Sequence, residues 1–162
     1  MDEVRYDLDS YDVVSKALWD LVNAYPDLDE AISFAGVDSE EGTAFIPTSG
    51  AVILDDNTDV TGHTTQLCVY PFTLVTKAGG LSEKHKLNVK EWLDNIGRWL
   101  EQQTITVNGT SYKLEKYPEL TGDREFKRIE RTQPSFLSEV AEDNVETWVI
   151  TMQAQYRNEF DR

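Results

Sequence analysis

The stretch VETWVITMQAQY, residues 145–156, decides the fold of this chain, because large apolar residues alternate with polar ones along it. That period of two is typical of a β-strand with one face in the core. Residues 64–77 alternate in the same way, so we expect two long strands in one sheet. The residues predicted to face the core are Trp148, Ile150, Met152, Ala154 and Tyr156 of the first stretch, and Cys68, Tyr70, Phe72 and Leu74 of the second.

Two amphipathic helices are predicted, one over residues 10–24 and one over residues 82–102, because apolar residues recur there at helical spacing. Ser82 is a suitable N-cap for the second helix. Trp92 and Trp99 fall on its apolar stripe, so we expect both to be core side chains rather than platforms for a ligand.

Shorter strands are predicted where apolar runs are interrupted by glycine and proline. Pro71 has no backbone N–H, which predicts an edge position or a bulge for the long strand there. Residues 133–144 are predicted to be a mobile excursion. The short strand candidates are residues 31–34, 43–46, 51–54, 104–107, 110–114 and 125–131. The chain is therefore predicted to be a single α+β domain over residues 1–162, a mainly antiparallel sheet with two amphipathic helices packed on it.

Charge is segregated along the chain. Residues 1–60 contain 15 acidic and 2 basic side chains, residues 61–131 contain 9 acidic and 11 basic ones, and the whole chain has a net charge of −15. An excess this acidic repels polyanions and attracts basic or divalent partners. Neither a signal-peptide pattern nor an apolar run of roughly 20 residues is present, so we expect a soluble protein, cytosolic when made, without membrane attachment.

The acidic residues 54–60 superficially match a calcium loop. Asp55, Asn57 and Asp59 occupy the first, third and fifth positions, but Val60 replaces the required glycine and Gln66 replaces the bidentate glutamate. A solvated turn is the better interpretation, and no metal site is predicted.

A nucleophile–base pair around His63 is a candidate for catalysis. His63 has Asp59 and Cys68 close in sequence, but a pairing of this kind is defined in space and not by spacing. The chain has no phosphate-binding glycine motif, so no cofactor and no catalytic residues are predicted. A small metal-assisted hydrolase that uses Asp55, Asp59 and His63 remains as an alternative of a different class.

Basic residues in the middle of the chain are the candidates for partner contacts: Lys84, Lys90, Arg128 and Arg131. Asn108 and Gly109 are further candidates for partner contacts, because this dipeptide predicts the exposed turn of a hairpin. The net charge makes sequence-specific DNA binding a poor interpretation. The bases pair either with the acidic third of a neighbouring copy, in a head-to-tail assembly, or with acids of their own chain.

Six short stretches together resemble the minor capsid proteins of long-tailed bacteriophages of Gram-positive bacteria. They are FIPTSGAVI (residues 45–53), TGHTTQ (61–66), LSEK (81–84), KEWLD (90–94), PELT (118–121) and QYRNEF (155–160). By size and element order this family is similar to tail terminators, which are α+β proteins of the head–tail joint.

The resemblance implies a structural virion protein rather than an enzyme. It implies a hexameric ring that caps the tail tube, with the major tail tube protein and a head-completion or connector protein as partners. The genome DNA would pass through the ring without specific binding, and an acidic lumen would repel the DNA backbone. A head-closure or connector protein of the same neck is the alternative. The expected location is the virion, after assembly in the host cytoplasm.

Overall fold

The computed structural model describes residues 4–28, 30–36, 42–79, 83–142 and 144–161, and only the backbone for residues 11, 12 and 83–87. The chain runs through these elements in order: β1 (Tyr6–Asp7), a π-helical turn (Tyr11–Ser15), α1 (Lys16–Val22), β2 (Ser33–Phe34), β3 (Gly42–Pro47), β4 (Ala51–Thr58), β5 (His63–Gly79), α2 (Glu83–Leu100), β6 (Ile105–Val107), β7 (Thr110–Tyr112), β8 (Arg124–Arg131), β9 (Phe136–Val140) and β10 (Val145–Asp161).

The two longest strands, β5 and β10, form the centre of the sheet. Each has 17 residues, and they pair antiparallel over their whole length, from His63 opposite Asp161 to Gly79 opposite Val145. On the outer side of β5, β4 pairs with one half of the strand and β3 with the other. On the outer side of β10, β8 and β9 divide the strand in the same way. Two long strands thus carry four shorter ones.

The remaining strands complete the edges. β1 pairs antiparallel with β4, and β2 pairs parallel with β3. The β6–β7 hairpin is a separate two-stranded sheet. Asn108 and Gly109 form its turn with φ of 51° and 81°, the left-handed values that an Asn-Gly turn requires, so the predicted hairpin is confirmed. The structure is a mainly antiparallel sheet with two helices, as the predicted α+β class requires.

The two faces of the central strands differ in burial. Along β5 the even-numbered side chains are buried from Thr64 to Leu74, and along β10 they are buried from Glu146 to Asn158. The odd-numbered side chains between them are half-buried, and Val145 at the start of β10 is also buried. All nine residues that the sequence placed toward the core are buried, which confirms that prediction.

Both helices pack on the even-numbered face. Leu18 and Val22 of α1 and Leu93 and Ile96 of α2 are fully buried in the same hydrophobic cluster as Phe72 of β5. The first helix is shorter than predicted, because residues 11–15 form a π-helical turn. The second ends two residues before the predicted end, and the proposed N-cap Ser82 lies outside the described residues. Trp99 is buried and Trp92 is partly buried against the core.

The prediction of an edge position or a bulge at Pro71 is wrong, because β5 pairs with β10 in unbroken register there. Pro71 lies in the middle of β5, opposite Gln153 of β10. Its carbonyl accepts a hydrogen bond of 3.2 Å from the N–H of Thr48, so its nitrogen also faces the β3–β4 side. Pairing with β4 stops at Val69 and pairing with β3 starts at Phe72, so no ladder hydrogen bond is lost at the proline.

Three further segments differ from the prediction. β4 continues to Thr58, because the acidic residues predicted as a turn pair with β5. The predicted excursion over residues 133–144 contains β9, which pairs with β10. The short strand β1 was not predicted at all, since two residues carry no periodic signal.

Candidate interaction surfaces

The odd-numbered face of the central strands is a surface that the two helices leave open. Ser15 at the start of α1 hydrogen-bonds Tyr70, and a Cβ added at Gly97 in α2 would lie 3.0 Å from the Ile150 side chain, so both helices lie on the even-numbered face. The open face carries half-buried valine, threonine and glutamine side chains around Val69, Val149 and Gln153. It is therefore a broad surface of mixed polarity.

One end of this open face carries a network of charges. The ring of His63 lies 3.0 Å from a carboxylate oxygen of Asp161 and 3.8 Å from one of Glu159. Arg157 lies 3.0 Å from both Glu159 and Glu125. The hydrogen bond with Asp161 raises the pKa of His63 above its ordinary value, and the neighbouring carboxylate charges act in the same direction.

The exposed large hydrophobic side chains lie near two opposite edges of the sheet. We call β1, β4 and the turn after β4 the N-terminal edge, and β8 and β9 the C-terminal edge. In the described part of the chain the exposed side chains are Val4, Tyr6, Leu8, Leu54 and Val60 at the N-terminal edge, and Phe136, Leu137 and Val140 at the C-terminal edge.

The strands β4, β8 and β9 each pair with a central strand in a register that shifts once, and each has one extra residue at the shift. It is Leu54 in β4, Lys127 in β8 and Ser138 in β9. Such bulges twist a strand and interrupt its hydrogen-bonding edge, which hinders uncontrolled strand addition. At β8, the outer N–H groups of Ile129 and Arg131 also bond side chains of their own chain. A partner at this edge therefore meets side chains rather than a free backbone.

A buried ion pair joins β1 of the N-terminal edge to β8 of the C-terminal edge, on the face of the sheet that the helices cover. Arg124 of β8 donates hydrogen bonds of 2.9 and 2.8 Å to the carboxylate of Asp7 in β1, and the Tyr156 hydroxyl donates one of 2.6 Å. Burial raises the pKa of Asp7, but the hydrogen bonds from Arg124 and Tyr156 outweigh it, so this pKa lies below its ordinary value. The contact fixes the N-terminal strand to a strand 117 residues away.

The predicted contact residues are divided between exposed and internally paired positions. Asn108 and Gly109 are exposed at the hairpin turn, and Arg128 is exposed beside Glu130 on its own strand. Lys90 forms an ion pair of 2.9 Å with Asp94, and Arg131 forms one of 2.9 Å with Glu101. These two bases thus have intrachain partners. Lys84 lies in α2, but its side chain is outside the described residues.

The candidate catalytic groups do not converge. Asp59 accepts hydrogen bonds of 2.9 and 2.7 Å from Thr61 and shapes the β4–β5 turn, while His63 pairs with Asp161. Cys68 lies on the buried face, away from His63 on the open face, and burial raises its pKa to about 11. Among the described residues no group of three metal-binding side chains exists, and Asp55 and Asn57 lie in a strand rather than a loop.

A shallow groove of about 320 Å³ runs between α2 and β3. Its described lining is Leu28, Glu30, Gly42, Thr43, Thr76, Asn88, Val89 and Trp92. Glu30 is the one titratable side chain among these eight, so the lining holds no acid–base pair and no nucleophile with an adjacent base.

Sequence reasoning missed the Asp7–Arg124 pair and the two apolar edges. The Lys90–Asp94 pair had a local signal, since residues four apart on a helix are neighbours. The Asp7 pairing had none, because its partner comes from the far end of the chain.

Comparisons with known proteins add no family. No protein-family model matches the chain, and no curated protein matches it. In the described residues, no helix has the length and apolar character that crossing a membrane requires.

Proposed function

We propose that this chain is a structural subunit of the neck of a long-tailed bacteriophage, a tail terminator that forms a ring. The ring caps the tail tube and offers the surface on which the head docks. Its partners are copies of itself, most simply in a hexamer, together with the major tail tube protein and a head-completion protein. The proposed role is non-enzymatic and belongs to the virion at the head–tail junction.

The position of the exposed hydrophobic side chains supports this proposal most directly. They lie in two groups, one on each side of the central β5–β10 pair in the strand order of the sheet. We interpret each group as an apolar patch, a feature that marks contacts between proteins when its side chains are contiguous. A subunit with different contact surfaces on opposite edges associates head to tail, and such an assembly closes into a ring when the rotation permits.

The charge and the sequence resemblance support the same role. A net charge of −15 suits a channel that DNA traverses without binding, because acidic side chains repel the phosphate backbone. The α+β class agrees with what the resemblance to tail terminators implies. A head-closure or connector protein has the same requirements, so it is the second candidate.

Electron microscopy of particles from a phage with an early stop codon in this gene tests the proposal. We expect DNA-filled heads detached from tails of uncontrolled length, because nothing stops tube growth. Tails of normal length beside leaking or empty heads would assign the protein to head closure instead. Intact infectious particles would exclude both neck roles. Growth in a suppressor host that restores the full chain is the control.

A further inference from the structure

We propose that the N-terminal edge of one copy binds the C-terminal edge of the next, through acidic side chains that meet the basic strand β8. The occupant of each edge is thus a second copy of this chain. The inference deepens the proposed function and rests on it in one respect, because both require self-association.

The acidic side of this contact is the N-terminal edge. Residues 4–9 and 51–60 contain five acidic side chains and one basic one. Asp9 is 84% exposed and lies 4.0 Å from Arg124 of its own chain, a long contact of the weak and exchangeable kind, and Asp55 is also exposed. Asp55 accepts a hydrogen bond from the Asn57 amide, and no cation of the described part of the chain lies within 4 Å of its carboxylate. Two carboxylates are therefore available to a neighbour.

The basic side is β8. It contains four basic and two acidic residues, and Lys127 and Arg128 are 37% and 60% exposed. Both pair with glutamates of β8 itself, a type of exposed contact that is weak and exchangeable. Arg124 and Arg131 are held in place by Asp7 and Glu101, so the two exposed bases are the ones that a neighbour meets.

The apolar side chains explain why the contact is more than an exchange of surface charges. Leu54 is adjacent to Asp55 and is 59% exposed, and Val60 in the turn after β4 is 104% exposed. Phe136 and Leu137 lie just beyond the basic strand and are 41% and 38% exposed. Head-to-tail association removes apolar surface from water at both edges at once, while the charges set the register.

Charge-reversed variants of the full chain test this contact by their molar mass in solution. Lys127→Glu/Arg128→Glu makes β8 acidic like the N-terminal edge, and Asp9→Lys/Asp55→Lys replaces the two available carboxylates with bases that face Lys127 and Arg128. We expect the wild type to assemble, and each variant to associate at least about 100-fold more weakly at low ionic strength, because like charges then face each other. Light scattering on size-fractionated protein measures the mass.

Mixing the two variants is the decisive step. Every junction in an alternating assembly then brings side chains of opposite charge together at the exchanged positions, so the equimolar mixture is expected to recover the wild-type mass. Recovery also shows that both variants are folded. Asp20→Lys/Glu30→Lys is the matched control, since it makes the same charge change at exposed positions away from both edges and should leave assembly intact.

Two outcomes would overturn the inference in different ways. If the wild type assembles and both edge variants assemble equally well, or the mixture fails to recover, the contact lies elsewhere and the proposed function stands. If the wild type stays monomeric at every ionic strength, both the contact and the self-assembling ring are excluded.

Discussion

The two faces of the β5–β10 pair share one backbone and differ in almost everything else. The even-numbered face is covered by α1 and α2 and holds the core, whereas the odd-numbered face is half-buried and carries a network of charges at one end. Stability therefore resides on one face, and surface for contact with other molecules is available on the other. Each prediction below changes one face and measures the difference.

The largest effect is expected for Phe72→Ala on the buried face. Phe72 is fully buried and stacks on Phe45 with ring centroids 5.1 Å apart. The substitution leaves a cavity under the helices, so the free energy of unfolding should fall by about 3–5 kcal/mol. Urea unfolding at a protein concentration that keeps the chain monomeric measures this value.

Thr73→Ala is the control on the open face, one residue further along. Thr73 is half-buried, and its hydroxyl lies 3.3 Å from that of Thr48 in an exposed contact. We expect a loss of less than about 1 kcal/mol. Equal losses for the two variants would mean that the odd-numbered face is also covered in the folded chain.

A smaller effect is expected for Asp7→Asn at the polar end of the buried face. The change removes the charge that pairs with Arg124, so the variant should lose about 3 kcal/mol at neutral pH. The pKa of Asp7 is lowered by folding, so its contribution is present above the unfolded value of about 3.9. It is lost as the pH falls through the lower folded value, and urea unfolding across this range should show less acid sensitivity in the variant.

Asp9→Asn provides the matched control for the buried ion pair. It removes the same charge two residues away, at a side chain that is 84% exposed. Its stability should stay within about 0.5 kcal/mol of the wild type. If Asp7→Asn were as stable as Asp9→Asn, the Asp7–Arg124 contact would not hold β1 in place.

The alternation of residue types was sufficient to predict both faces of the central strands. The side chains of a strand point to opposite sides, so the pattern around Tyr70 and Ile150 specifies which ones are buried. The pattern does not specify the neighbours of a strand. Pro71 was for that reason predicted to lie at an edge or a bulge, although it lies where β3 and β4 meet in the centre of the sheet.

The candidate surfaces were less predictable than the core. The Asn108–Gly109 turn follows from local backbone preferences, so the sequence was enough to predict it. The partner of Arg131 is Glu101, which only tertiary packing brings near. The apolar edges could not be predicted, because Phe136 and Leu54 differ from core residues in their surroundings and not in their type.

The smallest effect is expected at the charged end of the open face. The hydrogen bond with Asp161 raises the pKa of His63, so Asp161→Asn should lower that pKa toward the ordinary value of about 6.5. NMR titration of the His63 ring measures the shift in both proteins. Because folding raises this pKa, protonated His63 stabilises the fold fully below about pH 6.5 and less as the pH rises through the folded value.

The salt dependence of the His63 pKa distinguishes the two faces more clearly than a stability measurement does. The ion pair is exposed, so salt should weaken it and the pKa of His63 should fall toward its ordinary value as ionic strength increases. The buried Asp7–Arg124 pair should respond little to the same salt. A His63 pKa that responds neither to salt nor to Asp161→Asn would mean that Asp161 does not raise it, and the contrast between the faces would then fail where it is expected to be clearest.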